Sequence, residues 1–217
     1  SINLLCRADQ SVHSYRGPPL DSRIWDFSLP EKPLRSGYVL GVSGTVGGRQ
    51  SPLSYAWSIP GFGLQHKNEV RRQFGRDIQL FGIAEHIAHP DNRIILSEEL
   101  DTAGVPKVEV YSDYGEDDRQ TLRAMKNNII EWADACGFTQ RQRLYSSYDS
   151  PGAAHIGGTC RMGDYPQTSV TSVDGRVHGM ENLYIADGSL LPTLGAGDSP
   201  SLTIQALAMR LASKMKI

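Results

Sequence analysis

The 217-residue sequence has few cysteines and no excess of charge of either sign. Its three cysteines, Cys6, Cys136 and Cys160, are odd in number and lack CxxC spacing. The sequence therefore indicates neither a disulfide framework nor a zinc site, and we expect no metal. The 22 Lys and Arg residues nearly balance the 24 Asp and Glu residues, which leaves a net charge of −2. This balance argues against nucleic acid as the main partner.

Long apolar runs are also absent. The longest uncharged stretch, residues 50–66, is interrupted by two prolines and two glycines. No run approaches the roughly 18 apolar residues that cross a bilayer, so we expect no membrane span. The chain begins at Ser1 without a basic-then-apolar signal sequence. We accordingly expect a soluble protein; its compartment stays open, with the cytoplasm favoured.

Local patterns predict strands and one long helix in the first two thirds of the chain. Residues 1–75 are rich in glycine, proline, serine and arginine, which predicts long loops with a few short strands. The segments 78–87, 93–97 and 107–111 have β-branched or alternating apolar residues between turn-forming clusters and predict antiparallel strands. A helix is predicted to begin near Glu116, where acidic residues suit its positive end, and to stop at Gly137.

The C-terminal region predicts a strand and then a helix. Residues 182–186 have the pattern of a buried strand that ends at Asp187 and Gly188. Ser199 followed by Pro200 predicts the cap and first position of an alanine-rich final helix. The fold class expected is therefore α+β, with an antiparallel sheet packed against helices.

Two short segments resemble parts of trypsin-like serine hydrolases. The sequence around His155 is similar to the histidine region of those enzymes, and residues 197–199 are similar to their nucleophile loop. The spacing is wrong, however, because those enzymes place the histidine far ahead of the serine. Pro200 also follows the serine and has no N–H for an oxyanion hole. A serine hydrolase is thus the less favoured interpretation.

Four motif pieces in the last 65 residues occur in an order that matches one family. They strongly resemble the C-terminal part of the glucose-methanol-choline (GMC) flavoprotein oxidoreductases, and the histidine motif is the most specific piece. The pieces are residues 155–163, residues 173–174, residues 177–189, and residues 192–193 together with 200–208. The resemblance implies a substrate-binding portion in residues 1–150. It also implies a flavin-proximal segment in residues 151–217, where a strand and the final helix complete a flavin-binding α/β domain.

The resemblance also implies a reaction, a cofactor and the residues that serve them. His155 would accept or hydrogen-bond the hydroxyl proton of an alcohol or sugar while hydride leaves the same carbon for FAD. An imidazole suits this task because its unperturbed pKa of about 6.5 allows it to accept a proton near neutral pH. Asp187 and Gly188 would approach the FAD phosphate and ribityl region. Ser199, Pro200 and Ser201, at the start of the final helix, would approach the flavin pyrimidine.

The second catalytic position of the family is ambiguous by one residue. Counting back from residues 200–204 assigns it to Ser199, whereas counting forward from residues 192–193 assigns it to Asp198. We favour Ser199, because a carboxylate beside a flavin that gains negative charge is electrostatically unfavourable. Capping of the final helix is the structural interpretation of Ser199, and the two roles are compatible.

One hallmark of complete GMC enzymes is missing from this sequence. The nucleotide-binding half begins with a strand, a Gly-x-Gly-x-x-Gly turn and a helix. Here the glycines at 41, 44, 47 and 48 have different spacing and precede no helical pattern. We therefore expect a C-terminal chain or fragment that shares FAD with an N-terminal FAD-binding chain or fragment. The alternative is a non-catalytic GMC-like module that binds a partner or a carbohydrate.

Overall fold

The computed structural model describes residues 1–13, 22–44, 51–138, 140–146, 155–196 and 199–215. It is a mixed fold of helices and antiparallel sheet. The strands are β1 Ile2–Arg7, β2 Ser22–Ile24, β3 Tyr38–Ser43, β4 Asp77–Ala84, β5 Arg93–Leu100, β6 Pro106–Tyr111 and β7 Gln140–Ser146. The helices are α1 Pro52–Ser58, α2 Gly63–Gln73, α3 Glu116–Ala135 and α4 Ser201–Lys214.

The main sheet has five antiparallel strands in the order β2-β3-β4-β1-β7. One of its faces packs against α3, where Met125, Ile129 and Ala133 are completely buried. Alternate strand residues such as Leu4 and Leu80 point toward this helix, as the two-residue period of a strand requires. The hydrophobic core therefore lies between α3 and the sheet.

The predicted long helix is confirmed. Three acidic residues occupy the first turn of α3, and the Asp118 carboxylate accepts a hydrogen bond of 2.9 Å from the Gly115 N–H. This bond satisfies an amide that would otherwise be unpaired at the helix start. Cys136 is the last residue of helical conformation, and Gly137 then adopts a φ of +70° that other residues avoid.

The three predicted strands after residue 75 are present as β4, β5 and β6. β5 and β6 form a separate two-stranded hairpin. Asn92 joins the two ends of this hairpin, because its side-chain amide donates to the Asp113 carbonyl and its oxygen accepts from the Asp113 N–H. The turn-forming residues and the alternating apolar residues were sufficient to predict this hairpin, because its two strands are neighbours in the sequence.

The prediction of long loops in residues 1–75 is wrong, because much of this range forms strands and helices. β1 and β3 are central strands, and α1 and α2 occupy much of residues 52–73. Tyr55 of α1 is 2% exposed and packs edge-on against Phe74. β1 is stabilised by pairing with β4, 70 to 80 residues away, so no local pattern indicates its interior position.

The buried strand predicted at 182–186 is also wrong. The chain there is irregular, with one isolated bridge between Arg176 and Tyr184, and Leu183 is 43% exposed. The apolar composition of the segment suggested burial, but no described strand lies beside it to form a ladder. The division at residue 150 stays a prediction, and residues 147–154 lie outside the described ranges.

We predict that Gly82→Ala destabilises the packing of α3 on β4. A Cβ at Gly82 would lie 2.5 Å from the Met125 sulfur, which is closer than such atoms approach. The expected loss in free energy of unfolding is about 1 to 3 kcal/mol, typical of core overpacking. Urea denaturation followed by tryptophan fluorescence would measure it.

Gly115→Ala is the matched control, because its Cβ would meet the nearest atom at an ordinary 3.5 Å. Equal stability losses for the two variants would contradict this account of the packing.

Candidate functional site

The segment after His155 packs backbone to backbone against the turn at Gly188. A Cβ at Gly188 would lie 3.1 Å from the Ile156 carbonyl oxygen, and a Cβ at Gly157 would lie 2.9 Å from the Gly188 carbonyl oxygen. Neither position can hold a larger residue without moving the backbone. The two glycines thus allow two of the motif pieces to approach each other closely.

Backbone hydrogen bonds extend this contact along the chain. The Cys160 N–H donates to the Ser189 carbonyl at 3.0 Å, and the Met162 N–H donates to the Leu190 carbonyl at 2.8 Å. The histidine motif therefore runs beside a short 3-10 turn, Gly188–Leu190. His155 is half-buried at the start of this arrangement, and its imidazole has no hydrogen-bond partner among the described residues.

Asp187 caps the 3-10 turn. Its Oδ1 atom accepts hydrogen bonds from the Ser189 hydroxyl at 2.5 Å and from the Ser189 N–H at 2.8 Å. The Ser189 hydroxyl is the main cause that lowers the pKa of Asp187 below its usual value. Asp187 is consequently an exposed carboxylate that stays ionised at neutral pH.

The start of α4 lies next to the same turn. A Cβ at Gly188 would also lie 3.1 Å from the Ile204 side chain. The Ile204 N–H donates to the Pro200 carbonyl at 2.9 Å, which makes Pro200 the residue that precedes the helix. The N–H groups of Ser201, Leu202 and Thr203 are therefore the first-turn donors that lack an intrahelical acceptor. These three residues are exposed.

The capping role predicted for Ser199 is wrong. Pro200 is the N-cap of α4 and is not its first helical residue, so Ser199 lies one position outside the helix. The Ser199 hydroxyl is 2.9 Å from that of Ser201. No hydrogen bond joins Ser199 to His155 in the part of the chain that the structure describes. The competing candidate, Asp198, lies outside the described residues.

Asp174 anchors α4 from the other side. Its Oδ1 atom accepts from Lys214 Nζ at 2.5 Å and from Arg210 Nη2 at 2.9 Å, and Arg210 also donates to the Val173 carbonyl. The hydrogen bond from Lys214 is the main cause that lowers the pKa of Asp174. Residues 173–174 belong to one of the four motif pieces, and the sequence alone assigns them no role. The i, i+4 spacing of the two basic residues is the signal that could have supplied it.

A serine–histidine contact that the sequence analysis missed lies beside the histidine motif. Ser169 Oγ and His178 Nε2 are 2.9 Å apart, and Ser169 is buried. The Ser169 hydroxyl donates to the Tyr165 carbonyl at 2.7 Å, so its oxygen accepts from His178. A serine whose proton is held by a carbonyl is not activated by that histidine. The contact therefore supports the loop and does not indicate a hydrolase.

Metal-binding and membrane-spanning features are not found in the described ranges. No three His, Cys, Asp or Glu side chains come together there in a way that could hold an ion. The cysteines Cys6, Cys136 and Cys160 are free thiols. Across the same residues, no helix has both the length and the apolar character needed to cross a bilayer.

Comparison with known proteins identifies a family model and several relatives. The model described as GMC oxidoreductase matches residues 88–208. Paromamine 6'-oxidase of Streptomyces fradiae is 36% identical over 162 residues, which are 71% of this chain and 29% of that protein. 2-Methyl-1,2-propanediol dehydrogenase of Mycolicibacterium austroafricanum is 29% identical over 196 residues, or 89% of this chain and 35% of that protein.

Two further matches concern a sugar dehydrogenase and a solved structure. The fructose dehydrogenase large subunit of Gluconobacter japonicus is 31% identical over 151 residues, or 69% of this chain and 27% of that protein. The crystal structure of pyridoxine 4-oxidase from Mesorbium loti superimposes with a TM-score of 0.55 at 17% identity and supports the fold alone. It matches 98% of this chain and 42% of that chain. The chain thus spans about a third of the length of these curated relatives.

We predict that Asp174→Asn loosens α4. The variant keeps the size of the side chain but removes the charge that Arg210 and Lys214 share, so the free energy of unfolding should fall at neutral pH. The pKa of Asp174 is lowered in the folded protein. Its stabilising contribution is therefore fully present at pH values above the usual pKa of aspartate. The difference between the variant and the wild type should disappear as the pH falls through that lowered pKa. Urea denaturation across this pH range measures the difference.

Asp164→Asn is the control, because Asp164 is an exposed carboxylate of the same segment with no ion pair among the described residues. A pH-independent difference between Asp174→Asn and the wild type would contradict the proposed anchoring.

Proposed function

We propose an activity from one premise: this chain belongs to the GMC oxidoreductase family. The chain is the C-terminal part of an FAD-dependent oxidoreductase that converts the CH–OH group of an alcohol or sugar to a carbonyl. The observation that supports it is the convergence of three elements: the half-buried His155 segment, the Asp187–Gly188 turn and the start of α4.

The residues assigned to FAD suit such a group chemically. The first turn of α4 presents exposed N–H groups at Ser201, Leu202 and Thr203, and a helix start favours negative charge. The Asp187 carboxylate and the Gly188 backbone lie next to that helix start and can accept or donate hydrogen bonds to a ribityl chain. FAD, when bound, supplies the hydride acceptor of the reaction.

His155 is the proton acceptor in this proposal. A neutral imidazole can take the hydroxyl proton of the alcohol while the C–H bond breaks, which prevents a full positive charge from forming on the substrate. Among the described residues its ring has no hydrogen-bond partner, which is compatible with a substrate hydroxyl as that partner. The tight packing after His155 restricts where the ring can lie, because the backbone of Gly157 cannot shift toward Gly188.

Ser199 is the proposed second residue of the site. Its hydroxyl can donate to or accept from the substrate oxygen, while the proton-accepting role stays with His155. Its exposed position just before α4 is compatible with contact to a small molecule. If Asp198 were the second residue, its carboxylate would lie beside a flavin that gains negative charge on reduction. That arrangement is electrostatically unfavourable.

An N-terminal FAD-binding part, on the same polypeptide or on another chain, is the proposed partner. The relatives are about three times longer than this chain. The outward face of α4 supports such a partner, because Leu202 is 79% exposed and Met209 is 74% exposed. Two apolar side chains of this size, two turns apart on a helix, are typical of a face that packs against further protein.

We predict that His155→Ala, in the enzyme assembled with its FAD-binding part, keeps FAD but slows the anaerobic loss of flavin absorbance by about 10² to 10⁴. This factor is the usual contribution of a positioned general base. Stopped-flow absorbance with a saturating alcohol would measure the rate. His89→Ala is the control, since His89 is exposed and pairs only with Asp91 among the described residues. A wild-type rate in the His155 variant would exclude this residue from the chemistry.

We predict that Ser199→Ala slows the same reaction, whereas Asp198→Asn changes it little. Because Pro200 is the N-cap, Ser199→Ala should change the free energy of unfolding by no more than about 0.5 kcal/mol, as for other exposed substitutions. Its kinetic effect can then be assigned to the site and not to unfolding. The opposite order of effects would assign the second position to Asp198, and rates within twofold of wild type for both variants would exclude both residues.

A further inference from the structure

The loop of residues 192–199, between the Gly188 turn and α4, carries the proposed second residue of the site, Ser199. Residues 192–195 of this loop form no backbone–backbone hydrogen bond with any residue that the structure describes. A loop without such bonds has little in its backbone to hold it in one conformation. The position of the loop therefore depends on the contacts of its side chains.

Thr193 connects this loop to the main sheet. Its hydroxyl donates to the Glu85 carboxylate and accepts from the Gly195 N–H at 3.1 Å. A threonine hydroxyl has one proton and two lone pairs, so it can serve both partners at once. Gly195 has a φ of +67°, in the left-handed region that favours glycine, and the bond from its N–H closes a tight turn. The Glu85 carboxylate therefore sets the direction of the Thr193 hydroxyl, and that hydroxyl holds the turn.

Glu85 is the first residue after β4, and its backbone is held firmly. Its N–H donates to the Gly37 carbonyl at 3.1 Å, which continues the pairing of β4 with β3. Gly37 is packed so closely that a Cβ there would lie 2.1 Å from the Ser28 carbonyl oxygen. Two residues further along, the Ile87 N–H donates to the Asp118 carboxylate in the first turn of α3, at 2.9 Å. The backbone of Glu85 is thus fixed by the sheet on one side and by α3 on the other.

The next residue of the loop, Leu194, packs against the His155 segment. A Cβ at Gly157 would lie 2.9 Å from the Leu194 side chain, and the same Cβ would lie 2.9 Å from the Gly188 carbonyl oxygen. Gly157 is two residues after His155 in the chain. Thr193 and Leu194 therefore connect the end of β4 with the segment that carries the proposed proton acceptor.

We infer that Glu85 is a positioning residue, which acts through the Thr193 hydroxyl to fix the loop that carries Ser199 relative to the His155 segment. This inference rests on the proposed function for the roles of Ser199 and His155. A hydrogen bond to an ionised carboxylate is stronger than one between neutral groups, so a glutamate suits this place. A displacement of about 1 Å between reacting groups can slow a reaction by about 10². Loss of the contact should therefore lower the rate, although Glu85 takes no part in the chemistry itself.

The test compares variants that remove this hydrogen bond with variants that keep it. Glu85→Leu and Thr193→Val remove it with little change in side-chain size, whereas Glu85→Gln keeps an acceptor and Thr193→Ser keeps the donor. Stopped-flow absorbance measures anaerobic flavin reduction in the enzyme assembled with its FAD-binding part. Glu85→Leu and Thr193→Val should slow reduction at saturating alcohol by about tenfold or more, and the other two variants should stay within about threefold of wild type.

Two further measurements distinguish positioning from a general loss of stability. The double variant of Glu85→Leu and Thr193→Val should be no slower than the slower single variant, because both substitutions remove the same bond. Amide hydrogen exchange of residues 194–196, measured without substrate, should be faster in Glu85→Leu and unchanged in Glu85→Gln. Glu98→Leu is the matched control, since Glu98 is an exposed glutamate of β5 whose side chain has no ion pair or hydrogen bond among the described residues.

A wild-type rate in a folded Glu85→Leu variant, a Glu85→Gln variant that is equally slow, or additive losses in the double variant would overturn the inference. The outcome is separable from that of the proposed function. Faster exchange in Glu85→Leu, with no alcohol-driven flavin reduction even in wild type, would reject the function and support the anchoring of the loop. Equal exchange and equal alcohol-driven reduction in wild type and Glu85→Leu would reject this inference alone.

Discussion

The close approach of the Ile156–Gly157 backbone to the Gly188 turn is the contact on which the candidate site depends. It leaves no room for a side chain, so its geometry is set by carbonyl and amide groups and not by adaptable rotamers. Gly188 also contacts Ile204, so the same turn determines where α4 starts. A displacement at this one point would move His155 and the helix start together. The chemistry of the proposed reaction needs both groups in fixed relative positions.

A second contact holds the C-terminal end of α4. Within the described part of the chain, Leu211 is the one buried side chain of α4, at 8% exposure, and most of its other side chains are exposed. Arg210 and Lys214, which share the Asp174 carboxylate, add a polar contact to this small apolar one. Exposed ion pairs are individually weak. The geometry of the site is therefore held by a rigid backbone contact at one end of α4 and by an electrostatic anchor at the other.

Local patterns in the sequence were sufficient to predict those elements whose contacts lie close together in the chain. The acidic first turn and the glycine stop predicted α3, and turn clusters predicted the β5–β6 hairpin. The motif series located the elements of the candidate site, and the structure brings His155, Gly188 and α4 to one region. Non-local features were missed, because β1 obtains its partners from β4 and β7 and residues 182–186 have no described strand beside them.

The central place of β1 has a consequence for synthesis on the ribosome. β1 ends at Arg7 and its two neighbours are β4 and β7, of which the second begins at Gln140. At a usual elongation rate of roughly 5 to 20 residues per second, one edge of β1 waits about 7 to 27 s for β7 to be made. During that interval the edge has unpaired amides and carbonyls that another strand can bind. That edge is therefore a site for incorrect strand pairing until β7 is made.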